Sequence, residues 1–335
     1  MQSFYTFHEI NTQAVAWNDA LKTISAHQET LKRLWQEGGY DYVVFTGCGS
    51  TYYLALSAAN LAQSHLNVVS RAAPASELLL HPESIYAPNS RPLLVAVSRS
   101  AATTETIQAA QAFRARYGDH VIVISCHDNQ PLNAQATLTL AVPTAQERSL
   151  AQTRSFSSML VAAEGMVRIL TGQPIDQRAF DGDSLVAQAN HAAVRLADLQ
   201  TFDRYFYLGS GPRYGLACEG MLKMKEMSQT YAEAYHPMEF RHGPKSMVNE
   251  RTLVIGLLDK SGYEHEQAVL DEMARLGATT VNISPNPDAD FRIAERHGAP
   301  LVRYLPLMQW MAYHRAVSKR LNPDQPHNLD MVVQL

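Results

Sequence analysis

VVFTGCGSTYYLA, residues 43–55, and YFYLGSGPRYGLA, residues 205–217, decide the fold. Each carries an apolar run into Gly-x-Gly and then into a helix-forming segment. Gly47-x-Gly49-x-x-Tyr52-x-Leu54-Ala55 lies on Gly209-x-Gly211-x-x-Tyr214-x-Leu216-Ala217 at an offset of 162 residues. A second pair, GDHVIVIS (118–125) and GATTVNIS (277–284), has an offset of 159. Two independent matches at nearly one offset indicate an internal duplication. Strands alternating with helices in each copy predict an α/β fold of two tandem doubly wound parallel sheets. Ligands of such sheets sit beyond the carboxyl ends of the strands, where the strand order reverses.

Working outward, apolar periodicity predicts one helix over 9–36, then a strand over 40–45 and a helix over 52–66. PLLVAVS (92–98) is continuously apolar, as in a parallel strand buried on both faces. A helix over 103–117, strands over 120–125 and 137–142, and a helix over 153–170 complete the first copy. Thr171-Gly172-Gln173-Pro174 reads as a linker. The second copy reads as helix 181–199, strand 205–208, helix 214–227, strand 253–258, helix 265–276, strands 279–284 and 301–305, and helix 308–321. The expected boundaries are an N-terminal helical segment over 1–36, a first domain over 37–172 and a second over 173–335.

The 335 residues are 46% hydrophobic, enough for two cores, and carry a formal net charge of −4, which argues against general nucleic-acid binding. No run of eighteen apolar residues suggests a membrane helix, and the N-terminus lacks the features of a signal peptide. Three cysteines give no disulfide framework, and the thirteen histidines show no metal-ligand spacing. The expectation is a cytoplasmic protein that needs no metal or other cofactor and binds neither nucleic acid nor membrane.

Two hydroxyl-rich turns follow strands and precede helices in the first copy: Cys48-Gly49-Ser50-Thr51, and Ser98-Arg99-Ser100 running on to Thr103. Hydroxyls and free backbone N–H groups at helix N-termini suit a phosphate monoester. Taken singly, each turn reads better as an N-cap; two at adjacent strand ends favour phosphate binding. GCGSTY is not a dinucleotide fingerprint, because it lacks the third glycine. In the second copy, the helix after Gly209-Ser210-Gly211 holds Glu219, Lys223, Lys225 and Glu226, and His242 follows in Phe240-Arg241-His242-Gly243-Pro244. Such a carboxylate, amine and imidazole could transfer protons on a bound anion. A surface ion pair between Lys223 and Glu226 is the plainer reading.

GCGSTY (47–52), SRSAATTET (98–106), ERSLAQTRSF (147–156), EGMLKMKEMSQTYAEAY (219–235), EFRHGP (239–244) and DQPHNL (324–329) together resemble the double sugar-isomerase (SIS) domain family. The resemblance covers nearly the whole chain. It extends to the isomerase half of glucosamine-6-phosphate synthase, to amino-sugar-phosphate deaminases and ketose/aldose isomerases, and to fructosamine-type deglycases. It implies flavodoxin-like domains. It further implies that Thr51, Ser98, Arg99, Ser100 and Thr103 hold a sugar phosphate, and that Leu150 and Ala151 line the sugar through their backbone. Glu226 falls on the base that moves a proton between C1 and C2, Lys223 on a lysine that handles the open-chain sugar, and His242 on the ring-opening histidine. In the synthase that histidine comes from the neighbouring subunit, which implies a homodimer, or a pair of dimers, here.

Three departures bear on the reaction. No glutaminase segment is expected ahead of the first copy. Met331 stands where the synthase has a lysine that contacts the substrate carbonyl. Arg99 stands in place of a glutamine, and Ala101-Ala102 in place of Gly-Glu, so the turn gains positive charge and suits a substrate with a second anionic group. The expected function is aldose/ketose isomerisation of a hexose 6-phosphate derivative coupled to amine release, by a deaminase or a fructosamine-6-phosphate deglycase. The alternatives are a synthase-like isomerase without glutaminase and a non-catalytic phosphosugar sensor.

Overall fold

A computed structural model describes residues 4–196, 201–293 and 300–332. Helices α1 (Tyr5–Asn11), α2 (Gln13–Ala26) and α3 (Gln28–Gly38) open the chain. The first copy then contributes β1 (Tyr42–Gly47), α4 (Ser50–His65), β2 (Val69–Pro74), α5 (Ala75–Leu80), α6 (Pro82–Ile85) and β3 (Pro92–Ser98). It closes with α7 (Thr104–Tyr117), β4 (Val121–Ser125), β5 (Leu138–Ala141) and α8 (Arg154–Leu170). The second copy runs α9 (Asp183–Leu196), β6 (Arg204–Gly209), α10 (Arg213–Ser228), β7 (Tyr231–Tyr235) and α11 (Pro237–Phe240). After these come β8 (Thr252–Leu257), α12 (Tyr263–Arg275), β9 (Thr279–Ser284), β10 (Phe291–Arg292) and α13 (Leu305–Ser318).

The chain folds as two compact units. The first comprises Val15–Glu147, Arg154–Gln177 and the tail from Asp330; the second comprises the chain up to Ala14, Arg148–Thr153 and Arg178–Leu329. The first unit holds a five-stranded sheet of order β2-β1-β3-β4-β5, and the second a sheet of order β10-β9-β8-β6-β7. Every pairing in both sheets is parallel. Read from its other edge, the second order repeats the first, so each sheet reverses direction between its first and third strands in chain order. The central strands β1, β3, β4 and β8 are buried at every position, as their unbroken apolar runs require.

Two expected elements differ. The single helix over 9–36 is three helices, broken at Thr12 and His27; at the first break Thr12 Oγ1 donates to His8 O at 2.7 Å. A hydroxyl that satisfies the last carbonyls of a helix favours a stop there. The strand over 301–305 is a 3-10 turn, Leu301–Tyr304, leading into α13. A short, mostly apolar run such as Leu301-Val302-Arg303-Tyr304-Leu305 cannot distinguish a buried strand from a buried helix, and Pro306 in the first turn of α13 favours the helix. The helix expected over 181–199 is described from Asp183 to Leu196; residues 197–199 lie outside the described residues. Among the described residues, no helix is long and apolar enough to cross a membrane.

Candidate active site

In the first unit, β1 and β3 are hydrogen-bonded neighbours, so their carboxyl-end turns lie side by side at the strand reversal. Gly49 takes φ +57° and is exposed, while Ser50 and Thr51 are buried. Thr51 Oγ1 accepts the Cys48 N–H at 2.9 Å and donates to Cys48 O at 2.9 Å, so this hydroxyl closes its own turn. The turn after β3 is arranged differently. Ser98 Oγ accepts the Ala101 N–H at 3.1 Å, and Ser100 Oγ accepts the Ala102 N–H at 3.2 Å. Among the described residues neither serine donates its hydroxyl proton to an acceptor. Thr103, the N-cap of α7, makes no side-chain capping bond. These three hydroxyls at a helix N-terminus retain donors for an anion.

Arg99 is buried beside them. One guanidinium nitrogen lies 3.3 Å from Met331 O and 3.0 Å from Met331 Sδ, and the other 3.9 Å from Glu147 Oε2. Two of the positions at which the chain departs from the synthase pattern, 99 and 331, are therefore in contact. Cys48 is unsuited to nucleophilic work: burial pushes its thiol up to about 11. A thiol raised in this way is protonated below that pH, so at pH 8 Cys48 should alkylate about a hundredfold more slowly than free cysteine. Its rate should rise about tenfold per pH unit until near pH 11. Iodoacetamide labelling read by mass spectrometry checks this, and rapid labelling at pH 7 would contradict it.

The second unit uses its glycine turn otherwise. Position 213 corresponds to Thr51 and holds an arginine. Arg213 is buried, donates to Leu257 O at 3.0 Å, and pairs with Asp259 at 2.9 Å and Glu266 at 3.8 Å. The guanidinium thus bridges the turn after β6 to the end of β8. In this copy a side chain therefore lies across the strand reversal.

The buried ionisable cluster of this unit lies on α10. Spacings of four and three residues put Glu219, Lys223 and Glu226 on one helix face. Lys223 Nζ donates to Glu226 Oε2 in a short contact and lies 3.3 Å from Glu219 Oε1. Lys223 and Glu219 have 1% and 2% of their side chains exposed, and Glu226 18%. Burial alone would push the Lys223 ammonium down, yet the two carboxylates outweigh it and raise its pKa above the usual lysine value. The plainer surface-pair reading fails on burial. His242 sits on the exposed turn after α11, and no hydrogen bond or ion pair joins it to Lys223 or Glu226 among the described residues.

Leu150 and Ala151 belong to the same unit as Lys223 and Glu226. Their segment is clamped at three points. Glu9, from α1, accepts the Arg148 N–H at 2.6 Å, the Ser149 N–H at 3.3 Å and the Ser149 hydroxyl. The Leu150 N–H donates to Asp324 O at 2.9 Å. The Asp324 carboxylate in turn caps α1, accepting Tyr5 N–H at 2.9 Å, Thr6 N–H at 2.8 Å and Thr6 Oγ1 at 2.7 Å. In the first unit, buried Glu147 accepts the Arg154 N–H at 2.6 Å and the Ser155 hydroxyl, and so holds the start of α8. These are the physical reasons for the acids in ERSLAQTRSF and DQPHNL. Nothing in local sequence linked Glu9 to Ser149, which lies 140 residues away.

The SIS domain model matches residues 41–167 and 198–291, well over half of the chain. The chain belongs to the SIS domain family. SIS relatives include the glutamine–fructose-6-phosphate aminotransferase (isomerizing) of Methanothermobacter thermautotrophicus, 28% identical over 97% of this chain and 56% of that protein. The same-named protein of Pyrococcus horikoshii is 28% identical over 87% and 51%. The chain thus spans about half the length of these curated relatives. Among solved SIS structures, the glucosamine-6-phosphate deaminase of Thermotoga maritima is 28% identical, with a TM-score of 0.81 over 95% of this chain and all of that one. The tagatose-6-phosphate ketose/aldose isomerase of Escherichia coli shares the fold at 23% identity, with a TM-score of 0.85 over 98% and 96%.

Proposed function

We propose that this SIS protein is a phosphosugar enzyme that shifts a proton between C1 and C2 of a hexose 6-phosphate derivative and releases an amine. The observation that carries the reading is Glu226, a partly exposed carboxylate held by the buried ammonium of Lys223. A carboxylate so held keeps one fixed orientation, as a base serving two adjacent carbons requires. The ammonium beside it favours the negative charge of an enediolate. The hydroxyls of Ser98, Ser100 and Thr103 take the phosphate. Arg99 serves a further anionic group, and the buried Glu147 nearby tempers its charge. Leu150 and Ala151 present backbone to the sugar. His242, exposed and unattached to Glu226, opens the ring in the site of a second copy, so the working form is a homodimer.

Amine release is preferred to plain isomerisation on one ground, and to a synthase-like transfer on another. The deaminase of Thermotoga maritima is 28% identical along its whole length. Met331, which takes the place of the carbonyl-contacting lysine in the resembling synthases, cannot form an imine with a substrate carbonyl. The test is a panel of glucosamine-6-phosphate, galactosamine-6-phosphate and 6-phosphorylated fructosamines. Ammonia or amino acid and the sugar phosphate would be followed together. Release from one compound is the expected result, with the preference for acidic adducts weakened in Arg99→Gln. Proton exchange in deuterated water without amine release would replace the reading by a simple isomerase, and tight binding without exchange by a sensor.

A further inference from the structure

Glu219 has no part in the proton transfer just proposed, yet it is the most deeply enclosed carboxylate of the α10 cluster. We propose that Glu219 is a positioning residue: the standing counter-ion of Lys223, which leaves Glu226 able to accept and return a proton. The inference rests on the reading of Glu226 as the base.

The geometry distinguishes the two acids. Both reach Lys223 Nζ, but Glu219 is sealed, with 2% of its side chain exposed, whereas Glu226 is the member that meets the outside at 18%. Only the outer carboxylate can meet a substrate. When Glu226 takes a proton from carbon its negative charge disappears, and Lys223 would lose that partner in a site where its own side chain is 1% exposed. Removing one partner of a buried pair is costly, because the other charge stays desolvated. Glu219, at 3.3 Å on the inner side, keeps a neutral Lys223–Glu219 pair throughout. It also shares the ammonium in the resting state, so Glu226 is not held by the full charge of Lys223. The inner acid stays ionised while the outer one cycles.

The helix spacing supports this division. The rise from 219 to 226 is close to two full turns, and Lys223 falls between them on the same face. A glutamine at 219 would keep the shape and one hydrogen bond while removing the charge.

Five proteins test the proposal: the wild type, Glu226→Gln, Glu219→Gln, Lys223→Met and the double variant Glu219→Gln/Lys223→Met. The readouts are deuterium wash-in at C2 of the panel sugar phosphate that turns over, phosphosugar affinity by calorimetry, and the melting temperature. Glu219→Gln is expected to lower kcat about a hundredfold with KM and affinity changed less than about threefold, because the counter-ion matters during the chemical step. The double variant is expected to be no slower than Lys223→Met alone, and to recover most of the melting temperature that Glu219→Gln loses, since a counter-ion is not needed once its cation is gone. Full activity in Glu219→Gln, or losses at 219 and 223 that simply multiply, would overturn the role of Glu219 while leaving Glu226 as the base. Undiminished wash-in by Glu226→Gln would overturn both. The melting-temperature arm stands apart from turnover: additive losses there would show that Glu219 and Lys223 are not a working pair.

Discussion

Glu226→Gln should leave a folded protein that binds phosphosugars normally and turns them over roughly 10³- to 10⁴-fold more slowly, at the upper end of what positioned proton transfer contributes. Glutamine is nearly isosteric with glutamate, and its amide oxygen can still accept from Lys223, so the α10 face keeps its packing. What disappears is the carboxylate that would hold a proton between leaving one carbon and reaching the next. The defect should therefore fall on kcat and on deuterium exchange at C2 together, with affinity spared. The same measurement separates this from a stability effect, because Glu226 is the most exposed member of its cluster. Activity within tenfold of wild type would remove Glu226 from the mechanism and return the cluster to a structural role.

The parts of this fold legible in the sequence are those whose causes are local. The Gly-x-Gly turns, the unbroken apolar strands and the helix spacing of Glu219, Lys223 and Glu226 all report on neighbours a few residues away. They were enough for two sheets, their duplication and the charged face of α10. The strand β7 escaped because its YAEAY alternation on a sheet edge buries only Ala232 fully. The run 301–305 misled because burial on all sides erases periodicity. Glu9 and Asp324 were invisible for another reason: each acts on backbone N–H groups far along the chain, and a backbone N–H leaves no mark on the sequence that presents it. The meaning of the two arginines also needed the structure. Arg99 could be read only as added charge until Glu147 and Met331 were seen against it. Arg213 carried no signal in the sequence; the structure sets it across the strand reversal, where its counterpart Thr51 only closes its own turn.

Gly209→Ala and Gly47→Ala should each cost roughly 2–3 kcal/mol, or roughly 4–12 °C in melting temperature for units of this size. A Cβ at 209 would lie 2.5 Å from Arg213 O and 2.8 Å from Arg213 C. At 47 it would lie 2.5 Å from Thr51 Oγ1 and 2.7 Å from Thr51 C. In both copies the obstacle is the first turn of the helix that follows, and backbone cannot swing aside as a long side chain can. Relief would require the helix to back away from the strand end. In the first copy that move breaks the two hydrogen bonds by which Thr51 closes the turn; in the second it pulls Arg213 from Leu257 and Asp259. Gly39→Ala is the control. Gly39 has φ +56° and ψ +40°, in the left-handed helical region, and its Cβ direction meets nothing nearer than 3.9 Å, so alanine meets only the left-handed backbone penalty of about 1–2 kcal/mol. The ordering, 47 and 209 worse than 39, follows from close approach in one case and chirality in the other. Thermal melts of the three variants decide it: equal losses at 47 and 39, or a Gly209→Ala protein melting with wild type, would mean that the strand-to-helix contact is not the reason the motif carries its first glycine.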